Sequence, residues 1–143
     1  MITFRKATAK DFSFLLRLRN DPSTRAFSRN TAEVTESEHR AWVSMTLANP
    51  NRFLYIAEDA GMQVGTVRFD TLEKGSEISW TVAPEARGRG IGKDMLQSAL
   101  SLHPSPLVAE IKIENIASQK MAEHAGFIRQ EDKEGYSVWV YHG

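Results

Sequence analysis

Pro84-Glu85-Ala86-Arg87-Gly88-Arg89-Gly90-Ile91-Gly92-Lys93 is the run on which the rest of the chain hangs. It follows a strand-like segment, Gly75 to Val82, and opens a helix whose apolar stripe is Ile91, Met95, Leu96, Ala99 and Leu100. Three alternating glycines remove the side chains that hold a ligand away from the main chain. They also let backbone amides converge at a helix N-terminus, where an anion is favoured. Arg87, Arg89 and Lys93 against Glu85 give a local surplus of two positive charges (three minus one) on a chain whose formal net charge is zero. The ligand class that matches is a phosphate. A dinucleotide fingerprint fails because position 93 is Lys and only 51 residues (143 − 92) follow Gly92. A P-loop fails because Arg87 and Asp94 stand where Gly and Ser/Thr are required.

Outward from this turn the sequence changes grammar. Upstream, Ile2 to Thr8 alternates like a half-buried strand, and Phe12, Leu15, Leu16 and Leu18 set a helix that should stop near Pro22. The polar segment from Ser23 ends at Thr35-Glu36-Ser37-Glu38, a capping box that starts a helix over roughly Glu36 to Leu47, with Trp42, Val43, Met45 and Leu47 as its expected core face. Phe53 to Glu58, Gln63 to Thr71 and Gly75 to Val82 then read as an antiparallel meander. Downstream, Leu107 to Ile113 is a strand and Asn115 to Ala125 a helix closed by Gly126. Phe127 to Arg129 and Tyr136 to Tyr141 are closing strands. Strands and helices alternate only in the second half, so a mixed α/β sheet in one domain over residues 1–143 is expected.

Composition narrows the function. With 41% hydrophobic and 25% charged residues the chain is globular, and its neutral balance gives no general attraction for nucleic acid or an acidic membrane. There are no cysteines, so disulfides, thiolate metal sites and thiol nucleophiles are excluded. The four histidines, His39, His103, His124 and His142, show no metal-ligand spacing, and no metal is expected. No leader-like or membrane-length apolar run is present, so a cytoplasmic protein is expected.

Arg87-x-x-Gly90-x-Gly92 resembles the pyrophosphate signature of the GCN5-related N-acetyltransferase (GNAT) superfamily, and the resemblance runs through essentially the whole chain. Asn115, Ser118 and Gly126-Phe127 resemble its second signature. The resemblance implies an α+β fold: a mostly antiparallel mixed sheet, splayed like a V beside the turn and flanked by about four helices. It also implies acetyl-CoA as cosubstrate. Its pantetheine arm would lie on the backbone near Val82, its diphosphate on the amides of Arg89, Gly90, Ile91, Gly92 and Lys93, with Arg87 and Gly88 of the same signature also binding the cofactor, and the far side of the arm against Asn115 and Ser118.

Amine acetylation needs a neutral nucleophile, a polarised carbonyl and a proton for the leaving thiolate. Glu77, Ser79 and Thr81 share one strand face, with Ile78, Trp80 and Val82 on the other. Glu77 stands where related enzymes carry a base, its alternative being an exposed strand glutamate. The resemblance departs at Ala122, where many members carry a tyrosine acid. Tyr136 is the replacement expected here, with Tyr141, Ser118 and His124 also available and water as a further alternative, since a thiolate is a good leaving group; Tyr136 and Tyr141 have strand packing as their alternative, and His124 a plain place on a helix face. Arg19-Asn20-Asp21-Pro22 with His39 and Trp42 resembles the amino-sugar-nucleotide N-acetyltransferases of pseudaminic-acid type, and also the ribosomal-protein N-terminal acetyltransferases. In the first case, with a UDP-4-amino sugar as acceptor, Arg19 and His39 would meet the nucleotide's phosphates or sugar, because cations and donors match an anion; in the second the same cleft would admit an extended peptide and favour an acidic or open rim. Otherwise Arg19 caps a helix dipole and His39 lies on a surface. A non-catalytic acyl-CoA-binding module is the competing class, as is an anion-binding structural domain. The partners expected are a small amine and acetyl-CoA, with the protein a monomer or homodimer.

Overall fold

The computed structural model describes residues 1–143. In chain order the elements are β1 (Ile2–Lys6), a 3₁₀ turn (Ala9–Asp11), α1 (Phe12–Asn20), α2 (Pro22–Ala26), α3 (Glu36–Ala48), β2 (Arg52–Asp59), β3 (Met62–Thr71) and β4 (Ser76–Val82). A 3₁₀ turn (Pro84–Ala86), α4 (Ile91–Ala99), β5 (Leu107–Lys112), α5 (Ile116–His124), β6 (Ile128–Arg129) and β7 (Tyr136–Tyr141) follow. All seven strands belong to one sheet, ordered β1-β2-β3-β4-β5-β7-β6. Every neighbour pair is antiparallel except β4 and β5.

That parallel pair makes the V. β4 and β5 are in register only at Ser76↔Leu107 and Glu77↔Val108, after which they part. β3 continues along β4 for the whole distance, from Thr71↔Ser76 to Gly65↔Val82. One edge of β4 is therefore bonded throughout and the other is open from Ile78 onward.

The two sheet faces take different helices. Gly65, Val67 and Phe69 pair across to Val82, Trp80 and Ile78, and this face meets α4: Met95 Sδ lies 2.8 Å from where a Cβ on Gly65 would stand. Phe69, Ile78, Val67, Met95, Leu96 and Leu107 are fully enclosed there. The opposite face holds Thr66, Arg68 and Asp70 with Thr81, Ser79 and Glu77, and α1 and α3 cover it; the Arg68 guanidinium lies 5.7 Å from the Trp42 ring. No helix is long and apolar enough to cross a membrane.

Local chemistry explains most boundaries. Thr35 and Glu38 form the anticipated reciprocal cap, Glu38 N donating to Thr35 Oγ1 (3.2 Å) and Thr35 N to Glu38 Oε1 (3.1 Å). α5 ends in a Schellman arrangement, with Phe127 N donating to Ala122 O (3.0 Å), Gly126 N to Glu123 O (3.1 Å), and Gly126 at φ +99°.

Two expectations on α3 are corrected, whereas the mixed, mostly antiparallel sheet with its flanking helices is as expected; α2 is a short fifth helix because Pro22 begins one. Asp21 accepts from Thr24 N (3.1 Å) as an N-cap, and Pro at the first helical position loses no hydrogen bond. The buried face of α3 is His39, Val43 and Thr46, while Met45 is 74% exposed and Leu47 is also exposed. The spacing of four and then three residues runs through polar types, so apolar letters alone did not disclose His39 and Thr46 as buried. Trp42 is half-buried, on the rim of a cleft rather than in the core.

Candidate active site

A cleft of about 1060 Å³ opens in the V and runs from the glycine turn, across the open edge of β4, to the face under α1 and α3. That volume is enough for a long cofactor arm with a small second molecule at its tip.

At one end lies the turn. Gly88 and Gly90 have φ of +79° and +76°, and a Cβ on either would meet nothing within 4 Å, so their bareness faces open cleft. The first main-chain bond of α4 runs from Asp94 N to Gly90 O (3.3 Å), which leaves the amides of residues 88–93 without a main-chain acceptor. These orphan donors share the positive end of the helix dipole. Gly92 has a different reason: a Cβ there would sit 3.1 Å from Val82 Cγ2 and 3.2 Å from Met121 Sδ, so glycine lets α4 close on β4 and α5. Lys93 and Lys120 stand on the same rim.

Arg87 does something the motif does not disclose. Its Nε donates to Val82 O (3.0 Å), Nη1 to Asp21 Oδ2 (3.1 Å) and Nη2 to Thr24 Oγ1 (3.3 Å). The guanidinium thus fastens the turn to the α1–α2 corner. Arg17 and Glu85 repeat the tie with two bonds of 3.0 and 2.9 Å. Arg89 folds back onto Glu85 O (3.0 Å), and neither Arg89 nor Ile91 lines the cleft.

Along the open edge, Ala83 N donates to Val64 O, and this fixes the alternation. Amides and carbonyls of Trp80 and Val82 point away from β3 into the gap. Val82 O is taken by Arg87; the others face the cleft. Trp80 also lines it, and its indole Nε1 is buried without an acceptor. On the far wall Asn115 caps α5 by accepting from Ser118 N (3.2 Å), and both residues line the cleft.

At the apex, Glu77 is the last residue of β4 bonded to β5. It is half-buried, faces Asp70 across the ladder, and forms no ion pair. Burial pushes its carboxyl upward, and Glu110 and Asp70 add to this, against Arg29 and Arg68. Glu77 lies just behind the cleft wall formed by Arg68, Ser79 and Glu110. Glu110 is paired with Arg29, whose guanidinium also lies 4.5 Å from the centre of the Tyr136 ring. Tyr136 sits opposite Lys112 on β5, on the cleft wall. Ala122 is fully buried.

The roof is the segment 27–34 between α2 and α3. Asn20 clamps Val34 with two bonds (both 2.9 Å), Arg25 Nε donates to Thr31 O (3.2 Å), and Arg19 Nη2 donates to Asn30 O (2.8 Å) and Ala32 O (3.4 Å). His39 is buried under it between Phe12 and Trp42, its ring stacked on Trp42 at 5.5 Å. Burial, with the nearby charge of Arg19, holds its pKa down, so the imidazole is neutral near pH 7.

Of the residues singled out in the sequence, the cleft therefore gathers Arg19, His39, Val82, Arg87, Gly88, Gly90, Gly92, Lys93, Asn115, Ser118 and Tyr136, with Glu77 immediately behind. Tyr141 packs on Phe127 instead (5.4 Å), and His124 is exposed. Sequence reasoning missed Trp80 as a cleft donor and the Arg29, Arg68, Asp70 and Glu110 charges around Glu77. Strand alternation from Glu77 through its partner Asp70 was the available signal for Arg68. No group of three or more His, Asp or Glu side chains gathers to hold a metal ion.

A family model described as acetyltransferase (GNAT) domain matches residues 1–128. The candidate phosphinothricin acetyltransferase YwnH of Bacillus subtilis strain 168 is 30% identical over 138 residues, covering 88% of this chain and 83% of that one. Among solved structures, the spermidine N-acetyltransferase of Vibrio cholerae in complex with CoA and spermine aligns with a TM-score of 0.82 at 17% identity, over 97% of this chain and 92% of that one. The AAC(6')-Ib enzyme in complex with ribostamycin and CoA aligns at 0.83 and 18%, over 97% and 91%. The fold is thus that of proteins caught with CoA in place. The chain belongs to the GNAT family and is an acetyl-CoA-dependent N-acetyltransferase.

Proposed function

We propose that one domain, residues 1–143, moves an acetyl group from acetyl-CoA directly onto the primary amine of a compact acceptor, with Glu77 removing the amine's proton. The observation that carries this is the continuity of the cleft, with unpaired amides of residues 88–93 at one end, an unpaired strand edge in the middle, and immediately behind its apex wall the Glu77 carboxylate, which forms no ion pair.

Acetyl-CoA supplies the thioester, an electrophile that needs no covalent intermediate on the chain. The residues fit it. Amides from Gly88 to Lys93 would hold the diphosphate, with Lys93 adding charge, while Arg87 positions the turn. Backbone groups of Trp80 and Val82, the Trp80 indole, Asn115 and Ser118 would line the arm. Glu77 is suited to base work because its surroundings raise its pKa toward that of the proton it must accept, either directly or through one water. Tyr136, beside Arg29 on the opposite wall, is the group assigned to return a proton to the thiolate.

The fastened roof 27–34 favours a compact acceptor over an extended peptide. The whole constellation lies within one chain, so a monomer suffices and a homodimer is compatible. Purified protein with acetyl-CoA should release free CoA with some members of a panel holding phosphinothricin, a UDP-4-amino sugar, spermidine and a peptide amine. CoA binding without release on any amine would instead support a non-catalytic module.

A further inference from the structure

Four arginines line the cleft, and three of them have a carboxylate: Arg29 with Glu110, Arg68 with Asp70 (3.1 Å), and Arg87 with Asp21 (3.1 Å). Arg19 has none. Its Nη2 serves the roof carbonyls of Asn30 and Ala32, but Nη1 is buried and has no acceptor. His39, 5% exposed and on the same wall of the cleft, carries a second orphan, Nε2. Its ring is wedged between Phe12 and Trp42, so it cannot swing out to find a partner. Glu38, the nearest acid on α3, is occupied by the Thr35 cap.

Buried donors without acceptors are rare in folded proteins, because each keeps the full cost of losing its water. Arg19 Nη1 is such a donor, attached to a permanent positive charge, and His39 Nε2 is a second in its Nε2–H tautomer; together in one cleft they match an oxyanion. Behind the apex wall of the same cleft lies the complementary charge without an ion pair, the carboxylate of Glu77, within reach of the cleft through one water. The two unsatisfied ends therefore match a molecule with an amine at one end and an acid at the other.

Resting on the acetyl-transfer reading above, we infer that Arg19 Nη1 and His39 Nε2 form an oxyanion subsite, so that the acceptor is an amine that also carries an acidic group: a carboxylate, phosphinate or phosphate. Arg19 supplies the charge-assisted bond and His39, in its Nε2–H tautomer, the second donor. A polyamine would bring a second ammonium against Arg19 and is disfavoured. The roof and the subsite share Arg19, so acceptor entry is expected to tighten the segment 27–34.

The test uses the full chain and matched amines: 4-aminobutyrate against its amide, phosphoethanolamine against ethanolamine, phosphinothricin against its decarboxylated, phosphinate-esterified analogue, and spermidine as dication. The acidic member of each productive pair should exceed its neutral counterpart by about 10- to 100-fold in kcat/KM, the range set by one to two charge-assisted bonds. Which pair discriminates most identifies the acid. In Arg19→Met that preference should fall to within about twofold, in His39→Ala it should fall several-fold, and in Arg19→Lys it should be partly kept. CoA affinity, read by calorimetry, should be unchanged in all three, which certifies that the fold and the cofactor end are intact. Turnover of neutral amines or spermidine as fast as acidic ones, or a preference that survives both substitutions, overturns the subsite while leaving acetyl transfer standing. Absence of CoA binding, or of turnover with every amine, overturns the transfer reading and the subsite with it.

Discussion

Gly90→Asp separates what the glycine turn needs for folding from what it needs for binding. Gly90 lies at φ +76° and ψ 0°, immediately before α4, and a Cβ there meets nothing within 4 Å. Crowding is thus no obstacle, and Gly90→Ala carries only the left-handed backbone penalty of about 1 kcal/mol, or about 2–4 °C in Tm for a domain of this size. Aspartate tolerates that conformation somewhat better than alanine, so its effect on stability should be no larger. Its carboxylate, however, stands over the free amides of residues 88–93. Two unit charges 4 Å apart repel by about 4 kcal/mol at an effective dielectric constant of about 20. The turn is exposed and screened by salt, so half of that, about 2 kcal/mol, is the fair expectation, equivalent to about 30-fold in affinity. Calorimetric titration of CoA into the parent and both variants, at low and moderate salt, reads this directly. Gly90→Ala should bind within about fivefold of the parent, Gly90→Asp should lose about 30-fold, and the gap should narrow as salt rises. If Gly90→Asp binds CoA as Gly90→Ala does at low salt, no phosphate rests on these amides and the placement of the cofactor is wrong.

Glu77→Gln should lower kcat about 100-fold with CoA affinity unchanged, and should abolish the rise of kcat/KM with pH that the ionising carboxyl gives the parent. Because burial raises the Glu77 pKa, the folded state holds that proton more tightly, and stability falls as pH climbs from the unfolded to the folded value. Gln imitates the protonated form, so the variant's Tm at neutral pH should be level or higher, and a lower Tm would contradict the sign. Tyr136→Phe should reduce kcat without moving the CoA dissociation constant; an unchanged kcat with a poor leaving-group thioester would remove the phenol from the reaction. Arg87→Met cuts the ties to Val82, Asp21 and Thr24, so the KM values for acetyl-CoA and for the acceptor should rise together. A rise in the first alone would mean that Arg87 reaches the phosphates itself. Asp11, 5% exposed, is held well below the usual carboxylate range, chiefly by its bonds to Arg5 (2.8 and 2.9 Å). Its contribution is complete above the unfolded value and is lost as pH falls through the folded one. Asp11→Asn should therefore cost about 2 kcal/mol at pH 7 and much less in acid, measured by urea unfolding.

Why some of this was legible in the amino-acid letters and some was not follows from the range of each interaction. The glycine turn, the Thr35 cap and the Gly126 stop are local: the residues that make the hydrogen bonds lie within five positions of each other, so spacing alone carries them. The meander is nearly local, since each strand pairs with the next. The V is not, because it depends on β4 and β5 bonding at two positions and then diverging, and only the resemblance to a family could supply it. The site splits along the same line. The amides of residues 88–93 are a property of one loop, whereas the setting of Glu77 is made by Asp70 on one neighbouring strand, Glu110 on the other and Arg29 from the roof. Arg87 shows the limit most clearly. Read as a letter beside three glycines it is a phosphate ligand, yet its partners Asp21 and Thr24 lie 66 and 63 residues away. The same pairing turns a binding residue into a brace, and it links the corner that carries the acceptor roof to the turn offered to the cofactor. A ligand that orders either end must then stabilise the arrangement the other end uses, so CoA and acceptor should each tighten the other's binding by the same factor.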